Sequence, residues 1–308
     1  WLWDVEGRRY IDMMSAYSAI SHGHCHPRLV KALAQQANQL AVASRAYYTD
    51  RLGLFLKRVC QLTHFDKALP MNSGAEAVET AIKAARKWGY TVKGIEENKA
   101  EIIVCKGNFH GRTTTIVSAS SEAQYKNGFG PLTPGFIQVP YGDDQALSQA
   151  INANTAAFLV EPIQGEAGIV IPPQGYLKKC EELCRKNNVL FIADEIQTGL
   201  SRTGEFLACE HEGVKPDAVV LGKALGGGLL PVSVFLSKAE VMSVFKPGDH
   251  GSTFGGNPLA AAVGLEALNI IVEDNYAKNA KELGAYFLEQ LKQIYSPLIK
   301  EVRGKGLL

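Results

Sequence analysis

Predominantly apolar segments alternate with amphipathic ones through the middle of the chain. The apolar segments are short and rich in β-branched and aromatic residues, which is typical of strands buried on both faces of a parallel sheet. They cover residues 101–105, 157–160, 189–193, 218–221 and 232–236. Between them, apolar residues recur at helical spacing, as over 176–186. The pattern from about 70 to 236 therefore predicts an α/β fold with a mostly parallel central sheet flanked by helices.

The flanking regions predict further elements. Two alternating runs around Glu6-Gly7 predict a β-hairpin, and residues 28–40 have the spacing of a packed helix. Residues 125–140 are rich in Gly and Pro, which favours an extended surface loop. Helical patterns over 258–272 and 276–295 predict the beginning of a smaller, incomplete α+β domain. We therefore divide the chain into an N-terminal segment (1–50), a large domain (51–258) and the start of a small domain (259–308).

Composition narrows the possible function classes. The 308 residues are 46% hydrophobic and 20% charged with a net charge of +1, which argues against a general nucleic-acid or membrane-surface role. No apolar run approaches the roughly 20 residues of a membrane helix. Six cysteines without a CxxC pair favour a reducing compartment, and we expect the cytoplasm, or the mitochondrial matrix for a eukaryotic chain with a transit peptide. Since the chain starts at Trp1 and stops within apolar residues at Leu308, we expect missing residues at both ends.

An acidic and a basic side chain lie at the carboxyl ends of two predicted strands. Asp194 directly follows the predicted strand at 189–193, and Lys223 comes two residues after the predicted strand at 218–221. Ligands of open α/β sheets gather beyond the carboxyl ends of the strands, so an acid and an amine delivered there are candidates for one site. An amine that burial neutralises can form a Schiff base with an aldehyde, and a carboxylate can keep a pyridine nitrogen protonated. This pair predicts pyridoxal phosphate as the cofactor.

Other stretches suit a phosphorylated ring. Ser73 and Glu76 have the spacing of a capping box, and the small residues Gly74 and Ala75 leave the N–H groups of the helix start open to an anion. Phe109 is suited to stacking on a planar ring, and Arg112 to binding a carboxylate.

A cluster of His22, His24, Cys25 and His26 has the ligand types of a zinc site. Ligands so close in sequence converge poorly on one ion, and no second cluster completes the set. We expect instead a loop that leads into a helix with Pro27 in its first turn.

Several motifs together resemble the class III pyridoxal-phosphate aminotransferases, a family of fold type I enzymes. The motifs are Asn72-Ser73-Gly74-x-Glu76-Ala77, Phe109-His110-Gly111-Arg112, Glu161-Pro162-Ile163-Gln164-Gly165-Glu166, Asp194-Glu195-Ile196-Gln197-Thr198-Gly199 and Gly222-Lys223. Further stretches resemble the members of this family that act on ornithine; they include Tyr17-Ser18-Ala19, Gly23-His24-Cys25-His26-Pro27 and Ser44-Arg45-Ala46. The resemblance implies transfer of the δ-amino group of L-ornithine to 2-oxoglutarate.

The resemblance also implies roles for individual residues in the cofactor site. Lys223 would bind the cofactor covalently and then move a proton, and Asp194 would pair with the ring nitrogen. The remaining cofactor contacts would come from Ser73, Gly74, Ala75, Phe109, Gln197 and Thr253, with Thr253 reaching the phosphate in the second subunit of a homodimer with shared active sites.

Substrate would contact Tyr17 and Arg112, by the same resemblance. Glu166 would mask an arginine that binds glutamate, and we expect that arginine after Leu308.

Three alternatives remain at this stage. The nearest is the same chemistry on N-acetylornithine or 4-aminobutyrate. The others are a pyridoxal-phosphate racemase, mutase or decarboxylase, and a non-catalytic assembly subunit.

Overall fold

A seven-stranded sheet forms the centre of the protein. The computed structural model describes residues 1–308 and contains nine strands. The strands are β1 (Leu2–Trp3), β2 (Arg9–Tyr10), β3 (Lys67–Met71), β4 (Glu101–Cys105), β5 (Phe136–Val139), β6 (Thr155–Val160), β7 (Leu190–Asp194), β8 (Ala218–Leu221) and β9 (Ser233–Ser237). The large sheet has the order β3-β9-β8-β7-β6-β4-β5, and β1 and β2 pair separately as the predicted hairpin.

Helices surround this sheet. They are α1 (Ser15–Ser18), α2 (Pro27–Ala37), α3 (Asp50–Thr63), α4 (Gly74–Trp88), α5 (Thr114–Ala119), α6 (Ala123–Lys126), α7 (Asp144–Ala150), α8 (Tyr176–Lys186), α9 (Ala239–Met242), α10 (Pro258–Glu273) and α11 (Tyr276–Lys292). The first of these is a single left-handed turn, since all four of its residues have positive φ. None of the helices combines the length and the apolar character that a membrane crossing requires.

Both faces of the sheet are covered, which explains why its central strands are mostly apolar. Along β7, Phe191 and Ala193 belong to one buried cluster, whereas Leu190 and Ile192 belong to a second cluster on the opposite face. Strand β8 alternates in the same way. The prediction of a mostly parallel sheet between helical layers is confirmed.

The direction of the strands sets the position of the site. Strands β4 to β8 run parallel to one another, and β9 is antiparallel to both β8 and β3. All strands of the sheet except β9 therefore point the same way. Their carboxyl ends meet at one edge, where the loops after β3, β4, β6, β7 and β8 come together.

The expectation of an extended loop over 125–140 is wrong. Residues 136–139 form β5, which pairs in parallel with β4 at the edge of the sheet, and 123–126 form the short helix α6. The strand has only four residues and is only partly buried, so its pattern is masked by the Gly and Pro residues around it.

The loop before α2 leads directly into the helix at Pro27. This residue occupies the first turn of α2, as predicted. The nearby histidines contact different parts of the molecule: His22 Nε2 lies 3.0 Å from the Ala267 carbonyl oxygen, and His24 Nε2 lies 2.8 Å from Asp12 Oδ2.

Helix α10 packs against α3 through a close contact between a glycine and an aromatic ring. Gly264 faces the fully buried Phe55, and a Cβ added to Gly264 would lie 2.8 Å from Phe55 Cε2. In contrast, Gly53 in α3 is exposed, and a Cβ added there would meet no atom within 4 Å. The two helical glycines thus differ only in what surrounds them.

We expect Gly53→Ala and Gly264→Ala to change thermal stability in opposite directions. Both replacements gain helix propensity, worth about 1 kcal/mol. Gly264→Ala also overpacks the core against Phe55, which typically destabilises by roughly 1–3 kcal/mol. Thermal unfolding followed by circular dichroism should show a higher midpoint for Gly53→Ala and a lower one for Gly264→Ala. Equal midpoints for the two variants would show that the α3–α10 contact is not tightly packed.

Candidate active site

A cavity of about 180 Å³ lies at the carboxyl edge of the sheet. Its lining comes from the loops that follow several strands, in agreement with the strand directions. The lining residues are Gly74, Ala75, Phe109, His110, Gly111, Glu161, Ile163, Asp194, Ile196, Gln197, Thr198 and Lys223. The acid and the amine singled out in the sequence, Asp194 and Lys223, therefore share one cavity.

Lys223 is a partly buried amine at the end of β8. Burial lowers the pKa of its ammonium group, while the charges of Asp194, Glu166 and Glu161 act in the opposite direction. These carboxylates act through their charge at a distance rather than through a direct hydrogen bond. The amine is thus easier to deprotonate than an ordinary lysine, and a neutral amine is the nucleophilic form.

Asp194 is held by two hydrogen bonds at the end of β7. The side chain is buried, and its Oδ2 accepts from His110 Nδ1 at 2.6 Å. Its Oδ1 accepts from the backbone N–H of Ile196 at 3.1 Å. The carboxylate is therefore fixed in direction, with its remaining lone pairs available to the cavity.

His110 makes the second half of this buried pair. Burial alone would lower the pKa of the imidazole, but the hydrogen bond and charge of Asp194, together with the charge of Glu161, raise it overall. The imidazole is therefore easier to protonate than a free one, and its Nδ1 donates to Asp194. Its Nε2 is buried without a hydrogen-bond partner.

Glu161 is a second buried carboxyl group on the cavity wall. It follows the last residue of β6, and its Oε2 accepts from the backbone N–H of Phe109 at 3.0 Å. Burial raises the pKa of Glu161 to about 7, with the charge of Asp194 acting in the same direction. The group fixes the Phe109 backbone while it remains partly protonated near neutral pH.

The amino end of α4 opens onto the cavity at Gly74 and Ala75. The predicted capping box is present: Ser73 Oγ accepts from Glu76 N–H, and the Glu76 carboxylate accepts from Ser73 N–H. Ser73 itself lies outside the cavity lining as the cap of the helix. The first N–H groups of a helix have no intrahelical partner, so Gly74 and Ala75 present a site for an anion.

Phe109 and Arg112 extend the site from the loop after β4. The Phe109 ring faces the cavity and meets the Tyr125 ring edge-on, with 5.9 Å between ring centroids. The Arg112 guanidinium lies over both rings, 4.4 Å from the Tyr125 centroid. Arg112 is exposed and forms no ion pair with any carboxylate of the chain, so it is free to bind an acidic ligand.

Gln197 connects the cavity to the N-terminal segment. Its amide stands against Gly165, where an added Cβ would lie 1.4 Å from Gln197 Oε1. Its Nε2 lies 3.4 Å from the backbone oxygen of Tyr17. Tyr17 is 55% exposed and does not line the cavity, although this contact places it at the cavity's edge.

Glu166 and Thr253 also lie outside the cavity lining. Glu166 is exposed in the loop after β6, near enough for its charge to act on Lys223. Thr253 is exposed in a separate cleft that it shares with Val42, Ala43, Ser44, Arg45, Gly251 and Ser252. This chain alone does not bring Thr253 to the Lys223 cavity.

Sequence reasoning assigned no role to His110 or Glu161. Like Asp194, Glu161 lies at the carboxyl end of a buried strand, and this position could have identified Glu161 as a site residue from the sequence. His110 is 84 residues from Asp194 in sequence, so only the folded chain shows that they pair.

The residues at the cavity fit pyridoxal phosphate. The ring nitrogen needs a fixed carboxylate, the aldehyde needs a neutral amine, the phosphate needs free N–H groups, and the ring needs an aromatic face. Asp194, Lys223, the α4 start and Phe109 supply these groups around one cavity.

Comparison with known proteins agrees with this chemistry. The family model for class-III aminotransferases matches residues 1–308. An ornithine aminotransferase 2 of Staphylococcus aureus is 61% identical over 100% of this chain and 78% of its own length.

Solved structures show the same relationship. An ornithine aminotransferase structure from Toxoplasma gondii has a TM-score of 0.97 at 49% identity, covering 99% of this chain and 73% of its own. An acetylornithine aminotransferase structure from Elizabethkingia anophelis has a TM-score of 0.88 at 51% identity, covering 99% and 74%. The chain therefore belongs to the class-III aminotransferase family, whose members depend on pyridoxal phosphate.

Proposed function

We propose that this protein transfers the δ-amino group of L-ornithine to 2-oxoglutarate, giving glutamate 5-semialdehyde and glutamate. The observation that carries the chemistry is the shared cavity of Lys223 and Asp194. The choice of ornithine is supported by relatives named ornithine aminotransferases, among them one from an Exiguobacterium species that is 59% identical over the whole chain.

Lys223, Asp194 and His110 carry the proton chemistry. Bound pyridoxal phosphate supplies an aldehyde that exchanges amines and a ring that withdraws electrons. Lys223 would hold the cofactor through its amine, and the same amine would serve as the base and acid of the proton transfer. Asp194 would pair with the ring nitrogen, and the hydrogen bond from His110 Nδ1 holds the Asp194 carboxylate in a fixed direction.

Other residues hold the cofactor in position. Gly74 and Ala75 would bind the phosphate through their backbone N–H groups, and Ser73 fixes the helix start from which these groups point. Phe109 would pack on the ring, and Gln197 would bind its oxygen substituent. Glu161 supports this arrangement because it anchors the Phe109 backbone.

Substrate binding falls to exposed groups at the edge of the cavity. Arg112 is held by two aromatic rings and has no acidic partner, which supports its binding of a substrate carboxylate. Tyr17 lies next to Gln197 and contacts ornithine. Glu166 masks the arginine that binds glutamate, so that one site accepts a δ-amine and an α-amine in turn.

A homodimer completes the site in this proposal, with Thr253 reaching the phosphate of the partner subunit. The surface around Thr253 supports this, because large apolar side chains are exposed there. Tyr47 is 72% exposed, Tyr48 is fully exposed and Phe254 is 55% exposed. Exposed apolar clusters of this kind mark protein interfaces.

We also place the protein in the cytoplasm. All six cysteines are free thiols, which is consistent with a reducing compartment.

N-acetylornithine is the second candidate substrate. The Elizabethkingia anophelis structure named for that activity is 51% identical to this chain, within the same range as the ornithine enzymes. Since an acetyl group removes the charge of the α-amine and adds bulk, relative turnover of the two amines separates the candidates.

We expect the purified protein with pyridoxal phosphate to complete an amino-transfer cycle that depends on Lys223. Ornithine should bleach the visible band of the bound cofactor, and 2-oxoglutarate should restore it. Lys223→Ala should lower turnover by at least about 10³-fold, because it removes both the covalent attachment and the proton carrier. Stopped-flow absorbance measures both steps. Faster turnover of N-acetylornithine or 4-aminobutyrate than of ornithine would contradict the substrate assignment.

We expect His110→Phe to weaken cofactor binding and turnover by roughly 10- to 100-fold. The substitution removes a charged hydrogen bond to Asp194, a type of bond worth about 1.5–3 kcal/mol. Cofactor fluorescence titration and steady-state kinetics measure the two effects. His22→Phe is the matched control, since His22 is also buried but bonds to a backbone oxygen away from the cavity. If both variants lose cofactor affinity equally, the effect reflects general destabilisation and the role of His110 is wrong.

A further inference from the structure

The residues from Gln164 to Val170 form a closed turn with Glu166 at its tip. Gln164 and Val170 form an antiparallel bridge, with N–H to oxygen distances of 3.1 and 2.8 Å. The Gly165 oxygen accepts from the N–H groups of both Gly168 and Ile169. Residues 164–170 are called the Glu166 turn below. Its hydrogen bonds fix the backbone under Glu166, whose side chain remains exposed.

The inner side of the Glu166 turn is attached to the cavity wall. Gly165 lies directly against the Gln197 amide, which lines the cavity. Gln164 Nε2 donates to the backbone oxygen of Lys106 at 2.8 Å, at the end of β4. A change in the turn therefore moves Glu166 relative to Lys223.

The outer side of the turn has an unfavourable backbone conformation. Gly168 has φ +104°, and Ile169, a β-branched residue, has φ +55°. A β-branched residue in the left-handed region is a genuine outlier and persists only where its surroundings hold it there.

Arg303 holds this backbone conformation in place through hydrogen bonds. Its Nε donates to the Gly168 and Ile169 oxygens at 2.9 and 3.0 Å, and its Nη2 donates to the Gly168 oxygen at 2.6 Å. A Cβ added to Gly168 would lie 3.3 Å from Nη2. The remaining Nη1 pairs with Glu301. The guanidinium thus binds the backbone oxygens of Gly168 and of the strained Ile169 with a fixed fork of donors, which a lysine cannot reproduce.

We propose that Arg303 is a positioning residue for the specificity of the active site: it holds the Glu166 turn so that the Glu166 carboxylate stays at the mouth of the Lys223 cavity. A carboxylate there attracts the cationic end of a substrate and repels its carboxylate. Holding it in place favours entry of a terminal amine over an α-amine, which has a carboxylate beside it. This inference rests on the proposed function, because it concerns the choice between ornithine and glutamate.

The first test follows the turn itself and does not require activity. Hydrogen–deuterium exchange of the purified full-length protein should be roughly tenfold faster over 164–170 in Arg303→Gln, since the strained residues lose their donors. Arg86→Gln is the matched control: Arg86 also donates to a backbone oxygen, that of Pro134, but far along the chain from the Glu166 turn. Unchanged exchange over 164–170 in Arg303→Gln would overturn the proposal.

The second test follows specificity through a double-mutant cycle. The ratio of kcat/KM for the ornithine half-reaction to that for the glutamate half-reaction should fall by about tenfold in Arg303→Gln, or 1.4 kcal/mol. It should fall similarly in Glu166→Gln and no further in the double variant, because both changes act through one carboxylate. Arg303→Lys should recover only part of the ratio.

The outcomes separate this inference from the proposed function. If Arg303→Gln lowers both half-reactions equally, or keeps its full effect in the Glu166→Gln background, Arg303 acts through general stability or elsewhere and the inference is wrong. If the wild type does not turn over ornithine while exchange over 164–170 still accelerates, the proposed substrate fails and the role in specificity fails with it, whereas the attachment of the turn by Arg303 stands.

Discussion

The neutralisation of one buried amine is the constraint on which the site depends. Lys223 must lose its proton easily, and burial favours this because it lowers the pKa of the ammonium group. Yet Asp194, which must remain charged, lies close enough to oppose the effect. The structure reconciles these demands because the Asp194 carboxylate has a nearer partner in His110, which hydrogen-bonds to it and whose pKa Asp194 raises. The carboxylate is thereby stabilised without a direct ion pair to Lys223.

The sheet makes this arrangement possible. Strands buried on both faces end together at one edge, so Asp194, Glu161 and Lys223 reach the same cavity from different parts of the chain. Glycine completes the assembly where a side chain lies close against the backbone. Gly165 leaves room for the Gln197 amide. The positions of the reactive groups are thus set by the rigid part of the fold, whereas Tyr17, Arg112 and Glu166 lie on exposed loops around it.

The sequence predicts the parts of this site that depend on local pattern. Apolar runs locate five of the seven strands of the sheet, and the residues just after two of these runs include Asp194 and Lys223. The Ser73–Glu76 spacing predicts the start of α4 because a capping box is a local interaction. Contacts between distant segments are beyond such patterns. The His110–Asp194 pair, the contact of Arg303 with the Glu166 turn and the pairing of β5 with β4 all require knowledge of the folded chain.

The most direct test of the account is the site of cofactor attachment. Pyridoxal phosphate would be added to the full-length protein, the Schiff base reduced with borohydride, and the modified peptide identified by mass spectrometry. The account predicts that Lys223 carries the label, because its amine opens onto the cavity and burial lowers the pKa of that amine. Attachment to any other lysine, or a label spread evenly over exposed lysines, would contradict it.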